Sequence, residues 1–328
     1  MTLGDWLGKR LKIKIIRPII FIGLGLVLAA WALSSINFRP TDLRVDFLNV
    51  GQGDAALITF PSGTRWLIDG GPSANIIGEL DQFVPMFDRR LTGVIATHPH
   101  ADHITGLIEV LRRYRVGLIL MPPISHTTPE YLQLLKEIQQ RKIVAKSVDH
   151  VFLWRGSENN INWEWQFLYP NSKDLSLGQN DLNDASVVSR LVYGQTSFLF
   201  MGDASNRVEN VLLAQGHELK SDVLKVGHHG SASATSALFL QAVQPKYAII
   251  SVGKKNQFGH PNAGTLARLN EAGVETYRTD KDGVISWTSD GKTIKHAQSS
   301  GIIDYLRQFT LAKLGFFDIV KAVMGTVR

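Results

Sequence analysis

The chain has 328 residues, 44% of them hydrophobic and 20% charged, which is enough length for a full core and too apolar a composition for a disordered polymer. It contains no cysteine, which excludes disulfides and thiolate metal sites and leaves His, Asp and Glu as ligands for any metal. The formal charge of +6 does not describe a basic nucleic-acid-binding domain: residues 1–40 hold six basic residues against Asp5, a net of +5, and the other 288 carry 29 basic and 28 acidic residues, a net of +1.

The N-terminal arm carries Lys9, Arg10, Lys12, Lys14 and Arg17 ahead of an uncharged stretch, PIIFIGLGLVLAAWALSSI at 18–36. At helical rise these residues span roughly 29 Å, a bilayer core, with Trp31 as an interfacial anchor. The preceding positive charges place the N-terminus in the cytoplasm and the following domain outside the cell membrane. The alternative is a cleaved signal peptide with a small-residue site near Ala30–Ala32; either way the domain is exported. The organisation expected is therefore a basic arm and single transmembrane anchor over 1–40, a folded domain over 41–298 and a helical tail over 299–328. That tail packs on the domain or on a partner.

Past a short linker, strand-like runs follow one another: LRVDFLNV (43–50), AALITF (55–60) and RWLID (65–69), separated by the turn signals GQGD and PSGT. GVIATH (93–98) is a further strand, followed by helical spacing over 106–114, a strand over 117–123 and a helix over 129–142. FLFMGD (198–203), SDVLKVGHHG (221–230) and YAIISVG (247–253) are apolar runs that end in polar residues. A helix over 263–273 then precedes a last hairpin over 274–296. Strands alternating with helices in this way predict an α/β sandwich of two sheets covered by helices.

The chemistry concentrates in THPHADH, residues 97–103. His98, His100, Asp102 and His103 crowd the end of a strand and the start of a helix, a density of metal-ligating groups that can serve two neighbouring cations. Other strand ends supply further ligands. Asp203 is placed to bridge two cations. His228 and His229 follow another apolar run. Asp69 is placed to fix the tautomer of a ligating histidine. Ligands at the ends of several strands converge on one rim.

The series LIDGG, THPHADH, MGD and GHHGS resembles, in that order, the metallo-β-lactamase-fold hydrolases, which implies an αββα sandwich with a two-metal site. VDFLNVGQGDAALITFPSGTRWLIDGG, NDASVVSRLVYGQTSFLFMGD, LKVGHHGSASAT and PKYAIISVGKKNQFGHP resemble the C-terminal domain of the ComEC family, the DNA-uptake channels of competent bacteria. The resemblance covers about residues 43–290. It implies that His98 and His100 hold a first metal, that Asp102, His103 and His228 hold a second, and that Asp203 bridges them. Many hydrolases of this fold place another histidine in a Gly-His-rich loop between the cluster and the bridging Asp. This chain has LNDASVV at 182–188 there, which argues against classical β-lactam hydrolysis. His229, His260 or a water is the candidate third ligand of the first metal, and His229 or His260 the candidate proton donor to a leaving group. Asn183 and Ser186 either contact substrate or hold a loop.

The expected function is that of a membrane-anchored, extracytoplasmic hydrolase using two Zn or Mn ions, a phosphodiesterase or nuclease acting on single-stranded DNA during uptake. One span replaces the family's multi-span channel, so a separate competence channel is the expected partner. The alternatives are a phosphocholine esterase or lactonase acting on small molecules, and a non-catalytic accessory subunit of such a channel.

Overall fold

The computed structural model describes residues 41–84 and 88–297, with Gly25 alone ahead of them. The expected span at 18–36 and the tail over 299–328 lie outside the described residues, among which no helix is long and apolar enough to cross a membrane.

From Asp42 on, the chain builds two sheets. The strands of the first are β1 (Leu43–Phe47), β2 (Ala56–Thr59), β3 (Arg65–Ile68), β4 (Arg90–Ile95), β5 (Arg115–Met121), β6 (Val144–Ser147), β14 (Ile285–Ser289) and β15 (Ile294–Ala297). They lie in the order β15-β14-β1-β2-β3-β4-β5-β6. The second comprises β7 (Phe152–Glu158), β8 (Ile161–Tyr169), β9 (Val188–Tyr193), β10 (Thr196–Phe200), β11 (Val223–Lys225), β12 (Tyr247–Ile250) and β13 (Glu275–Arg278). Its order is β13-β12-β11-β10-β9-β8-β7.

Both sheets are apolar on both faces, so their central strands read as continuous hydrophobic runs. Strand periodicity sends Ile58 and Ile68 between the sheets, where they meet Trp165, Phe167, Phe198 and Phe200 of the second sheet. Their neighbours Leu57 and Leu67 face outward onto Leu107 and Leu111 of the helix Ala101–Arg113 and Leu134 of the helix Pro129–Gln140. Leu199 and Leu224 likewise face Val208, Leu212 and Leu269 on the helices that cover the second sheet. The αββα layering expected from the sequence is the architecture observed.

Two readings of the strands need correction. The run over 274–296 is not one hairpin: β13 pairs in parallel with β12 in the second sheet, and the antiparallel hairpin is β14 with β15 in the first. The helical turn Thr279–Asp282 intervenes and carries the chain from one sheet to the other. The run over 221–230 stays in the ladder only to Lys225, and Gly227–Gly230 form a tight turn beyond it.

Close backbone approach sets the position of the histidine helix. A methyl group at Gly106 would overlap the carbonyl oxygen of Gly70, and one at Gly53 would overlap that of Asp102. Only glycine at these points lets the GQGD and DGG turns lie directly against the first turns of Ala101–Arg113.

Candidate metal centre

The first sheet delivers Asp69 and His98 just past the ends of β3 and β4, and the helix Ala101–Arg113 begins immediately after His100. The second sheet delivers Asp203 after β10 and His228 and His229 after β11. Both histidines have left-handed backbone, φ 48° and 51°, and Asp69 has φ 57°. These conformations cost of order 1 kcal/mol or more in non-glycine residues and concentrate at functional sites.

Ligand atoms of Asp102, His103, Asp203 and His229 lie within 4.8 Å of one another. His103 Nε2 and His229 Nε2 each stand 3.3 Å from Asp203 Oδ2, and His229 Nε2 is also 3.3 Å from Asp102 Oδ2. The other ring nitrogens decide what faces inward. His229 Nδ1 donates to the carbonyl oxygen of Ser251 at 2.9 Å, which can only accept. His103 Nδ1 donates to Asp69 Oδ2 at 2.8 Å. Thr97 Oγ1 spends its proton on Asp69 at 2.7 Å, so it accepts from His98 Nδ1 at 3.1 Å. All three Nε2 atoms therefore present lone pairs to the centre, the orientation that ligating histidines take when the outer nitrogen is fixed.

Lone pairs of imidazole and carboxylate facing one another need a cation between them. His103 Nε2 and Asp203 Oδ1 are buried with no hydrogen-bond partner among the described residues, and His98 Nε2 faces His100 Nδ1 at 3.1 Å. This donor set fits divalent metal ions. The protonation behaviour of the bare residues tells the same story. Burial lowers the pKa of His103, but the charges of Asp203 and Asp69 overcome it and hold the pKa well above 6.5. His229 behaves alike, with Asp203 and Asp54 outweighing burial. Burial pushes Asp203 up, and His229 and His103 hold it well below the usual carboxylate range. His98 is driven well below 6.5 by burial and then by the charge of His103. Protons occupy here the electrostatic role that a cation fills.

The centre opens into a cleft of about 310 Å³ lined by Gln52, His100, Asp102, Asn183, Asp203, His228, His229, Phe258 and His260. Several sequence expectations are refined by this geometry. His229, not His228, completes the group around Asp102 and His103; His228 Nε2 stays 4.0 Å from Asp203 and its side chain is 26% exposed. His229 Nδ1 is held by the Ser251 carbonyl, and its Nε2 faces Asp102 and Asp203. His260 sits by His228, ring centroids 5.5 Å apart, and its pKa is lowered by burial and then by His228. Ser186 is buried and accepts from the Asp203 backbone N–H at 2.9 Å, which braces the Asp203 turn, and its Oγ lies 3.3 Å from His98 Nδ1. Asn183 lines the cleft together with His100, and its Oδ1 is buried with no hydrogen-bond partner among the described residues.

Two residues of the site lie within the quoted stretches but are not among the site residues expected from the sequence. Asp54, in the GQGD turn, lies with Oδ1 3.2 Å from His229 Nδ1 and Oδ2 2.6 Å from Lys225 Nζ. Lys225 is buried beneath the centre because strand alternation sends it inward with Val223. A lysine in an apolar strand is the signal that could find it: its charge requires a buried partner.

Fold and donor set together define an αββα metal-dependent hydrolase. The sequence model of the metallo-beta-lactamase superfamily matches residues 48–170 and 180–254, more than half of the chain, and the chain belongs to that superfamily. It is 29% identical over 262 residues to ComE operon protein 3 of Bacillus subtilis, covering 74% of this chain and 33% of that one. It is 28% identical over 282 residues to competence protein ComA of Neisseria gonorrhoeae, covering 80% and 36%. The expected kinship with the ComEC family is thus borne out, and the chain spans about a third of the length of these relatives. Among solved structures it is similar to the metallo-beta-lactamase fold protein YhfI of Bacillus subtilis, with 12% identity, a TM-score of 0.47, and coverage of 76% of this chain and 100% of that one.

Proposed function

We propose that this chain is a two-metal phosphodiesterase that cleaves single-stranded DNA during its uptake. The observation that carries the chemistry is the cluster of Asp102, His103, Asp203 and His229 beside the His98–His100 pair, opening into a polar cleft. The kinship with competence proteins supports the choice of DNA over other phosphodiesters.

Zn or Mn bound here supplies a water acidified to near neutrality and a positive centre for the phosphoryl oxygens. The chain's own residues do the rest. Asp69, through Thr97 and His103, holds two imidazoles with Nε2 inward. Asp203 and Asp102 keep negative charge at the centre, which favours cations and keeps the histidines in place. Asn183 lines the mouth of the cleft with His100, and His260 is the residue assigned to the leaving oxygen. With the metals present, the purified chain cuts labelled single-stranded DNA, and a chelator abolishes cutting. Intact DNA alongside hydrolysis of a phosphocholine ester or a lactone would instead establish the small-molecule reading.

The stretch 18–36 is the proposed membrane span, with the domain on the outer side. Protease added to intact spheroplasts then digests the domain; a domain protected until lysis would place it in the cytoplasm.

A further inference from the structure

We propose that Phe258 is a stacking platform for a nucleobase of the strand held in the cleft. This rests on the phosphodiesterase reading and names how the substrate is recognised. Seven large hydrophobic side chains are well exposed among the described residues, and Phe258, at 62%, is the aromatic one. It lines the same cleft as His100, Asp102, Asp203 and His260, and is the one apolar side chain on that wall.

The ring is presented on a braced loop. Asn256 donates from Nδ2 to the carbonyls of Gly253 and His260 at 3.0 and 2.8 Å, and accepts at Oδ1 from the His260 N–H at 2.9 Å. One side chain thus closes the loop that carries Phe258. Gly253 is tied in turn to Gln52 across the cleft, its N–H donating to Oε1 at 3.1 Å. On one side Phe258 lies nearly parallel to His260, with centroids 6.0 Å apart and planes at 18°. His260 supports the ring at an angle suited to a further flat group. Lys254 and Lys255 stand exposed on the same loop and bring positive charge for the flanking phosphates.

An exposed aromatic ring beside a phosphodiester site, held rigid and flanked by cations, is the arrangement by which proteins grip single strands without reading sequence. Every base has a flat apolar face, so the platform accepts any of the four. A substrate that lacks an aromatic group gains nothing from it.

The test compares an oligothymidylate with a chain of tetrahydrofuran phosphodiesters of equal length, the same backbone without bases. The purified full chain is loaded with Mn, and both binding and cleavage are read. Wild-type protein should bind the base-bearing strand about 5- to 140-fold more tightly, the factor that one stacked base contributes. Phe258→Ala should remove that preference by weakening the oligothymidylate alone, and Phe258→Trp should keep it. Equal affinity of wild-type protein for both chains, or an equal effect of Phe258→Ala on both, overturns the platform. So does a Phe258 dependence seen only with a phosphocholine ester, which would make the ring a site for a quaternary ammonium. Failure of the phosphodiesterase reading looks different: neither chain is cut, whatever their affinities.

Discussion

Asp203→Asn lowers the rate of hydrolysis on the order of 10³-fold, the loss that follows when several kcal/mol of charge stabilisation are removed from the centre. The substitution changes little in volume. It removes a carboxylate that stands 3.3 Å from each of two inward-facing imidazoles, and replaces an acceptor with an amide that donates to them. An amide donor occupies the lone pairs a cation would use, so metal content falls together with rate. Metal analysis of the variant shows fewer bound ions than the parent, and the rise in melting temperature that added metal gives the parent shrinks in proportion to the lost affinity. The turn itself survives, because its hold on Ser186 comes from the Asp203 backbone N–H. A variant with full metal content and full rate would remove Asp203 from the centre and with it the two-cation reading.

What the sequence reveals and what it conceals follow from the same geometry. His98, His100, Asp102 and His103 are legible because one strand end and one helix start place them together without help from the rest of the chain. Asp203 is legible as the polar end of an apolar strand. The choice between His228 and His229 is not, because alternation of faces holds only within a strand. These two residues lie past β11 in left-handed backbone, and which ring turns inward depends on the carbonyl of Ser251 at the end of another strand. Asp54 reads as one more turn residue until the fold brings it under His229. The second sheet is half-hidden for a related reason. In β8 the buried rings Trp165 and Phe167 alternate with polar residues as a strand should, but β7 beside it is intermediate or exposed along its length and gives no apolar run to notice. The apparent last hairpin misleads because one short helical turn suffices to change sheets, and nothing in its composition separates it from a loop.

Lys225→Met destabilises the protein by about 3–5 kcal/mol, the cost of leaving a buried charge without its partner. Lys225 and Asp54 are both buried, and their 2.6 Å ion pair lies between the sheets. Methionine fills the space of the lysine stem, so packing changes little and the effect isolates the charge. Burial would push the Asp54 carboxyl up; Lys225, followed by His229, holds it below its ordinary value of 3.8. The sign follows from that direction: the pair's contribution is complete above the unfolded value and is lost only as pH falls through the lower folded one. At neutral pH the variant therefore bears the full cost, and its melting temperature in chelator falls by roughly 6–20 °C. The double variant Asp54→Asn with Lys225→Met separates stability from function. With neither charge present, most of the lost melting temperature returns, because the desolvation of an unpaired ion is gone. The amide that replaces the Asp54 carboxylate, 3.2 Å from His229 Nδ1 in the parent, brings no charge to polarise the ring. Metal binding therefore weakens by about 10- to 100-fold, as is usual when the outer partner of a ligating histidine is lost. A double variant that regains stability and binds metal as tightly as the parent would show that Ser251 alone orients His229, and that the ion pair serves only the core.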